Sequence, residues 1–231
     1  MMFQHPSRQH LPLRRPSPKI ALTIATLLTL GFGLTACNQP PEEEIAVVET
    51  PMDEMVMDHG ENHGMDLGPG DSQFDLRFID AMIPHHEGAV VMAEAALKHS
   101  KRPEIQALAK AIIAAQTTEI QQMRNWRTAW YADADDRPMA YHAEMGHMMP
   151  MSEAQIEAMK MSVDLGAGDD TFDLRFIEAM IPHHQGAIDM AKDVLTKTER
   201  PDVRTLAEAI LSSQAKEIAQ MEAWRQAWYG K

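Results

Sequence analysis

Stripe positions recur at helical spacing through most of the chain. Phe74, Phe78, Met82, His85, Ala89, Met92 and Ala96 follow one another at three or four residues, the period of one face of an α-helix. The pattern breaks at His99-Ser100-Lys101-Arg102, and Pro103 follows, a favoured first residue of a helix. A second stripe runs through Ile105, Leu108, Ile112, Glu119 or Ile120, Met123, Trp126 and Trp130 and predicts a helix to about Tyr131. The whole arrangement then recurs. Residues 66–131 and 164–229 align without a gap at an offset of 98, and 38 of 66 positions are identical. Neither helical hairpin buries its stripe alone, so the two copies predict one four-helix bundle. No strand pattern stands out, and the expected fold class is all-α. Between the copies, Ser152 and Gln155 make a capping box for a short helix over Ser152–Val163.

The first 36 residues read as an export signal. Arg8, Arg14, Arg15 and Lys19 precede an uncharged apolar run from Ile20 to about Gly33, which suits a signal peptide better than a bilayer span. The run ends in Leu34-Thr35-Ala36-Cys37. This resembles the lipobox of bacterial lipoproteins and implies lipidation of Cys37, the only cysteine. The expected location is therefore the bacterial cell envelope, with the chain lipid-anchored to a membrane and facing the periplasm or exterior. Residues 37–70 are expected to form an acidic tether, residues 71–131 the first hairpin, 132–163 a linker and 164–231 the second hairpin.

Charge narrows the partners. The chain has 34 acidic and 21 basic residues, and loss of residues 1–36 would remove four of the basic ones. That balance speaks against a nucleic-acid binder and attracts cations. With one cysteine there is no intrachain disulfide and no CxxC site.

The chemistry lies in 19 methionines and 11 histidines. Each copy carries a Pro-His-His motif, His85-His86 and His183-His184, inside an expected helix. The prolines, Pro84 and Pro182, either kink the helix or restart it. Met82 and Met180 stand three and four residues before these pairs, so thioether and imidazole share a face. Glu119 and Met123, matched by Glu217 and Met221, are candidates to face the pairs from the second helix. Further donors crowd the connecting segments: Met57, His59, His63 and Met65 in the tether, then His142, Met145, His147, Met148, Met149 and Met151 in the linker. The linker is too rich in Gly and Pro to suggest a buried core, and exposed methionine has little packing purpose. Thioether sulfur selects Cu(I) or Ag(I), while imidazole also suits Cu(II). Neither a zinc set nor an EF-hand is visible.

The pattern Phe-Asp-x-x-Phe-Ile-x-x-Met-Ile-x-His-His-x-Gly-Ala-x-x-Met-Ala, then Leu-Ala-x-x-Ile and Gln-x-x-Glu-Ile-x-x-Met, resembles the domain-of-unknown-function-305 family. That family includes periplasmic copper-binding proteins of the CopM type. The resemblance covers residues 66–231 and implies a ferritin-like bundle. It also implies intrabundle ligands at Met82, His85, His86, Met92, Met180, His183, His184 and Met190.

The expected function is that of a copper-binding lipoprotein, not an enzyme. It would sequester or transfer Cu(I) or Cu(II), with silver as a further cargo and another copper-trafficking protein as a candidate partner. Two other readings stay open, a metal-dependent oxidase in the bundle core and a structural envelope protein. Ferritin-like di-iron sites use Glu-x-x-His motifs, and here methionine stands three residues before His85 and His183.

Overall fold

A computed structural model describes residues 66–231. Cys37, Met57, His59, His63 and Met65 lie outside them. Four long helices, α1 (Phe74–His99), α2 (Pro103–Trp130), α4 (Phe172–Lys197) and α5 (Pro201–Tyr229), make the two hairpins. Within each hairpin the helices pack on each other, and α1 packs on α4 across the repeats. Pro103 and Pro201 each open their helix. Pro84 and Pro182 lie inside α1 and α4, which run through them, so neither proline starts a helix.

The linker is more ordered than its composition suggests. It forms a two-stranded antiparallel hairpin, β1 (Met139–His142) and β2 (His147–Pro150), with Tyr141 opposite Met148 and His142 opposite His147. The expectation of no strands is corrected here. The first helix anchors this hairpin: buried Asp80 accepts from Met139 N at 2.8 Å and from Arg127 Nε at 2.6 Å. Arg127 Nη2 in turn donates to the carbonyls of Asp135 and Arg137 at 2.7 and 3.1 Å. In the second copy Glu178 replaces Asp80, and Lys231 contacts it instead. Helix α3 (Glu153–Lys160) carries the expected capping box between Ser152 and Gln155. It stops short of Val163 because Met161 adopts a left-handed conformation at φ 46°.

Two further differences concern burial. Met151 and Met159 are 3% and 4% exposed and belong to the core, while Met139, Met148 and Met149 are half-buried. The linker methionines are therefore largely packed, and Met145 is the one in the β-hairpin with a wide exposure, 52%. The folded part also begins before residue 71. Leu67 is buried, and the Arg77 guanidinium holds the segment by donating to the carbonyls of Leu67 and Pro69, both at 2.5 Å.

Reciprocal contacts lock the repeats together. Arg102 lies 4.2 Å from the Trp228 ring centroid and 3.3 Å from Asp173, while Arg200 lies 4.3 Å from that of Trp130 and 3.5 Å from Asp75. Each arginine serves the other repeat's aromatic end, so the hairpins share one body.

Candidate metal centre

The core is divided by a layer of histidines. One apolar cluster holds Phe74, Phe78, Met82 and Met123 from the first repeat with Met190, Val194 and Leu206 from the second. Its counterpart holds Met92, Ile105 and Ile112 with Phe172, Phe176, Met180 and Met221. Met82 and Met92, both among the ligands that the resemblance implies, fall in different clusters. Met92 joins Met180 and Met221, and Met190 joins Met82 and Met123. The reason is the antiparallel crossing of α1 and α4, which places the late half of each beside the early half of the other.

His85, His86, His183 and His184 are all 0–1% exposed. Consecutive helical residues point about 100° apart, and each pair is split accordingly. His86 faces its own hairpin and donates from Nε2 to Glu119 Oε2 at 2.8 Å; His184 does the same to Glu217 at 2.7 Å. Glu119 and Glu217 thus face the histidines as the sequence suggested. With His86 opposite Glu119, the antiparallel register sets Met82 opposite Met123 one turn away, and Met180 opposite Met221 likewise.

His85 and His183 face across the repeats. Their rings stack at 4.0 Å between centroids and 15° between planes. The end of α3 covers them. His85 Nδ1 lies 3.0 Å from the Met159 carbonyl and Nε2 3.0 Å from that of His183, while His183 Nε2 lies 3.0 Å from the Lys160 carbonyl. Burial depresses the His85 pKa to about 4 against the pull of its carbonyl contacts, and the neighbouring His86 adds to the depression. Burial, then the charge His85 would carry, holds His183 well below its ordinary value. A neutral ring has one N–H, so one of the two carbonyls beside His85 faces a lone pair.

These rings leave donor atoms unused. The Nδ1 atoms of His86, His183 and His184 are buried without a hydrogen-bond partner. A neutral imidazole donating through Nε2 keeps a lone pair on Nδ1, and burying it unanswered costs about 1–3 kcal/mol. A cation would answer it. Among the described residues, no group of three or more His, Cys, Asp or Glu is placed to hold a metal ion. One helical turn away, on the same hairpin, stand Met82 and Met123, or Met180 and Met221, whose thioethers favour a soft ion. The Glu contact at Nε2 fixes the ring as partners of ligating histidines commonly do.

A family model described as "Domain of unknown function (DUF305)" matches residues 75–225. The chain belongs to this family. Its fold is that of CopM. The Cu(II)-bound form of CopM matches with a TM-score of 0.53 and 39% identity over 67% of this chain and 98% of that one. The Cu(I)-bound form gives 0.52 and 39% over 67% and 97%. An Ag-bound form gives 0.53 and 37% over the same 67% and 97%. An uncharacterized protein of Acanthamoeba polyphaga mimivirus is 39% identical over 51 residues, 22% of this chain, which spans about a third (34%) of that curated relative.

The other candidate donors are more scattered. His142 and His147 are cross-strand neighbours beside the turn of the β-hairpin, and His147 Nδ1 lies 3.0 Å from the Met145 carbonyl. Met148 and Met149 lie along β2 and Met151 lies in the core beneath it. Two features of the DUF305 bundle were not among the candidate donors. Gln116 and Gln214 are 3% exposed with their Oε1 atoms unpartnered, and their recurrence in both copies was the available signal. The carbonyls of Met159 and Lys160 carry no side-chain signal at all.

Proposed function

We propose that this protein is an exported, lipid-anchored copper carrier that holds Cu(I) in the bundle core. One ion is assigned to His86 Nδ1 with Met82 and Met123, and another to His184 Nδ1 with Met180 and Met221. His85 joins either set only by leaving one of its carbonyls. The observation carrying this reading is the pair of buried, unpartnered Nδ1 atoms on rings whose other nitrogen is tied to a carboxylate. CopM, known in Cu(I)-, Cu(II)- and Ag-bound forms, supports the choice of copper and of silver as a stand-in. Metal binding, not catalysis, is the role. Sites that exchange ions through thioether and imidazole suit sequestration or hand-over to another copper-trafficking protein, and so copper homeostasis or tolerance. The lipid anchor is assigned to Cys37 and places the chain in the cell envelope.

Anaerobic titration of the chain with Cu(I) against a chromophoric chelator tests the core. His86→Ala with His184→Ala should remove two tightly held equivalents while far-ultraviolet dichroism stays helical. Unchanged stoichiometry and affinity would overturn the assignment. Cys37→Ser should move the protein from the membrane to the soluble fraction, and an unchanged distribution would overturn the anchor.

A further inference from the structure

Away from the histidine layer, one cavity gathers sulfur. It has a volume of about 240 Å³, and Met139, Met151 and Met159 line it together with Ala81, the neighbour of Met82 in α1. Met151 and Met159 share their apolar cluster with Met82 and Met123. The main chain of Met159 reaches His85. Outward, β2 carries half-buried Met148 and Met149, and the turn exposes Met145. Two of the three methionines that line the cavity thus belong to the apolar cluster of Met82 and Met123, and one of them touches the histidine layer through its main chain. Among the described residues, the segment that carries these methionines occurs once, between the two copies.

Methionine often serves only to fill gaps in a core. Here three of them border a space they do not fill. An ion bound for donors that are 0% exposed must give up its water, and an apolar passage without ligands would make that prohibitive. Thioethers replace the lost water for a soft monovalent ion and do so poorly for a hard divalent one. Arg77 also borders the cavity. Its charge is met by Asp71 at 3.0 Å and by the two carbonyls it binds, and Asp66 contributes a further carboxyl group to the lining.

We propose that this cavity is the loading site for a soft monovalent cation, Cu(I) or Ag(I), held by Met139, Met151 and Met159 before it reaches the first repeat's histidine. The destination rests on the reading above; the cavity site itself does not. The test uses Ag(I), which undergoes no redox change, and the full chain labelled with 13C at the methionine methyls. In the His86→Ala, His184→Ala background, Ag(I) should shift the Met139, Met151 and Met159 methyls together and saturate at one equivalent. Replacing the three by leucine, which preserves volume and apolarity, should abolish that equivalent and slow Cu(I) loading of the unaltered histidine layer. Unmoved methyls at these three positions, or wild-type loading in the leucine variant, would overturn the proposal. Failure of the histidine assignment shows separately, as full Ag(I) binding at the bundle core after both histidines are replaced.

Discussion

The carbonyl oxygen of Lys160 occupies the space that a Cβ on Gly88 would fill. The same oxygen lies 3.0 Å from His183 Nε2, so the absence of a side chain at Gly88 lets the end of α3 reach the histidine stack. The matching Gly186 is less crowded, with His85 Cε1 at 3.4 Å and Met161 Sδ at 3.5 Å from its would-be Cβ. Gly88→Ala should destabilise the protein by about 1–3 kcal/mol, as overpacking against backbone does. Gly186→Ala should be neutral or stabilising by up to about 1 kcal/mol, because alanine is the better helix former. Chemical denaturation of both variants checks the contrast; equal losses would mean that α3 does not seat on α1 this way.

Glu119 and Glu217 are predicted to act on metal through histidine orientation. Glu119→Ala should weaken Cu(I) binding about 10–100-fold, the usual cost of losing a partner behind a ligating histidine. Glu119→Gln keeps an acceptor oxygen and should restore part of the affinity. Chelator competition on the two variants separates this role from packing. A loss of affinity equal in both would mean that the carboxylate charge, not the acceptor, is what matters.

Much of this arrangement is legible in the sequence. The repeat, the helix opening at Pro103 and the Ser152–Gln155 cap follow from local spacing, whereas the meeting of His86 with Glu119 follows only once the two helices pack as a hairpin. The β-hairpin was not legible because Met139 is held by Asp80, a residue 59 positions away. The partition of Met82 and Met92 into separate clusters was likewise hidden. A stripe tells which face of α1 is buried, but only the crossing with α4 decides what each turn meets. Met151 looks like an exposed ligand in a Gly- and Pro-rich segment until the packing of the linker on α1 buries it.

Arg77 and Arg175 occupy matching positions and make matching bonds to carbonyls, yet their surroundings differ. The Arg77 side chain is 1% exposed, with its Cζ 5.4 Å from the Tyr141 ring centroid, while that of Arg175 is 33% exposed. Arg77→Met should cost on the order of 3 kcal/mol, since charged hydrogen bonds to buried carbonyls are lost. Arg175→Met should cost roughly half of that, as water replaces part of the loss. Thermal unfolding of the pair measures the ratio, and a larger loss for Arg175→Met would contradict the burial difference.

The reciprocal arginine contacts predict how the two hairpins hold together. Arg102 reaches Trp228 and Asp173, and Arg200 reaches Trp130 and Asp75. Because α1 and α4 run antiparallel, these contacts lie at opposite ends of the bundle. Each arginine-to-alanine change should cost about 1 kcal/mol, the scale of a partly desolvated cation–π contact, which lowers Tm by about 2–4 °C in a chain of this size. Sites this far apart should add, so the double variant should lose twice as much. The tryptophan emission of each single variant should shift to the red as one stacked pair, Trp126–Trp130 or Trp224–Trp228, loses its cover. A double loss well above the sum would indicate that the two ends are coupled through the histidine layer, and the additive prediction would fail.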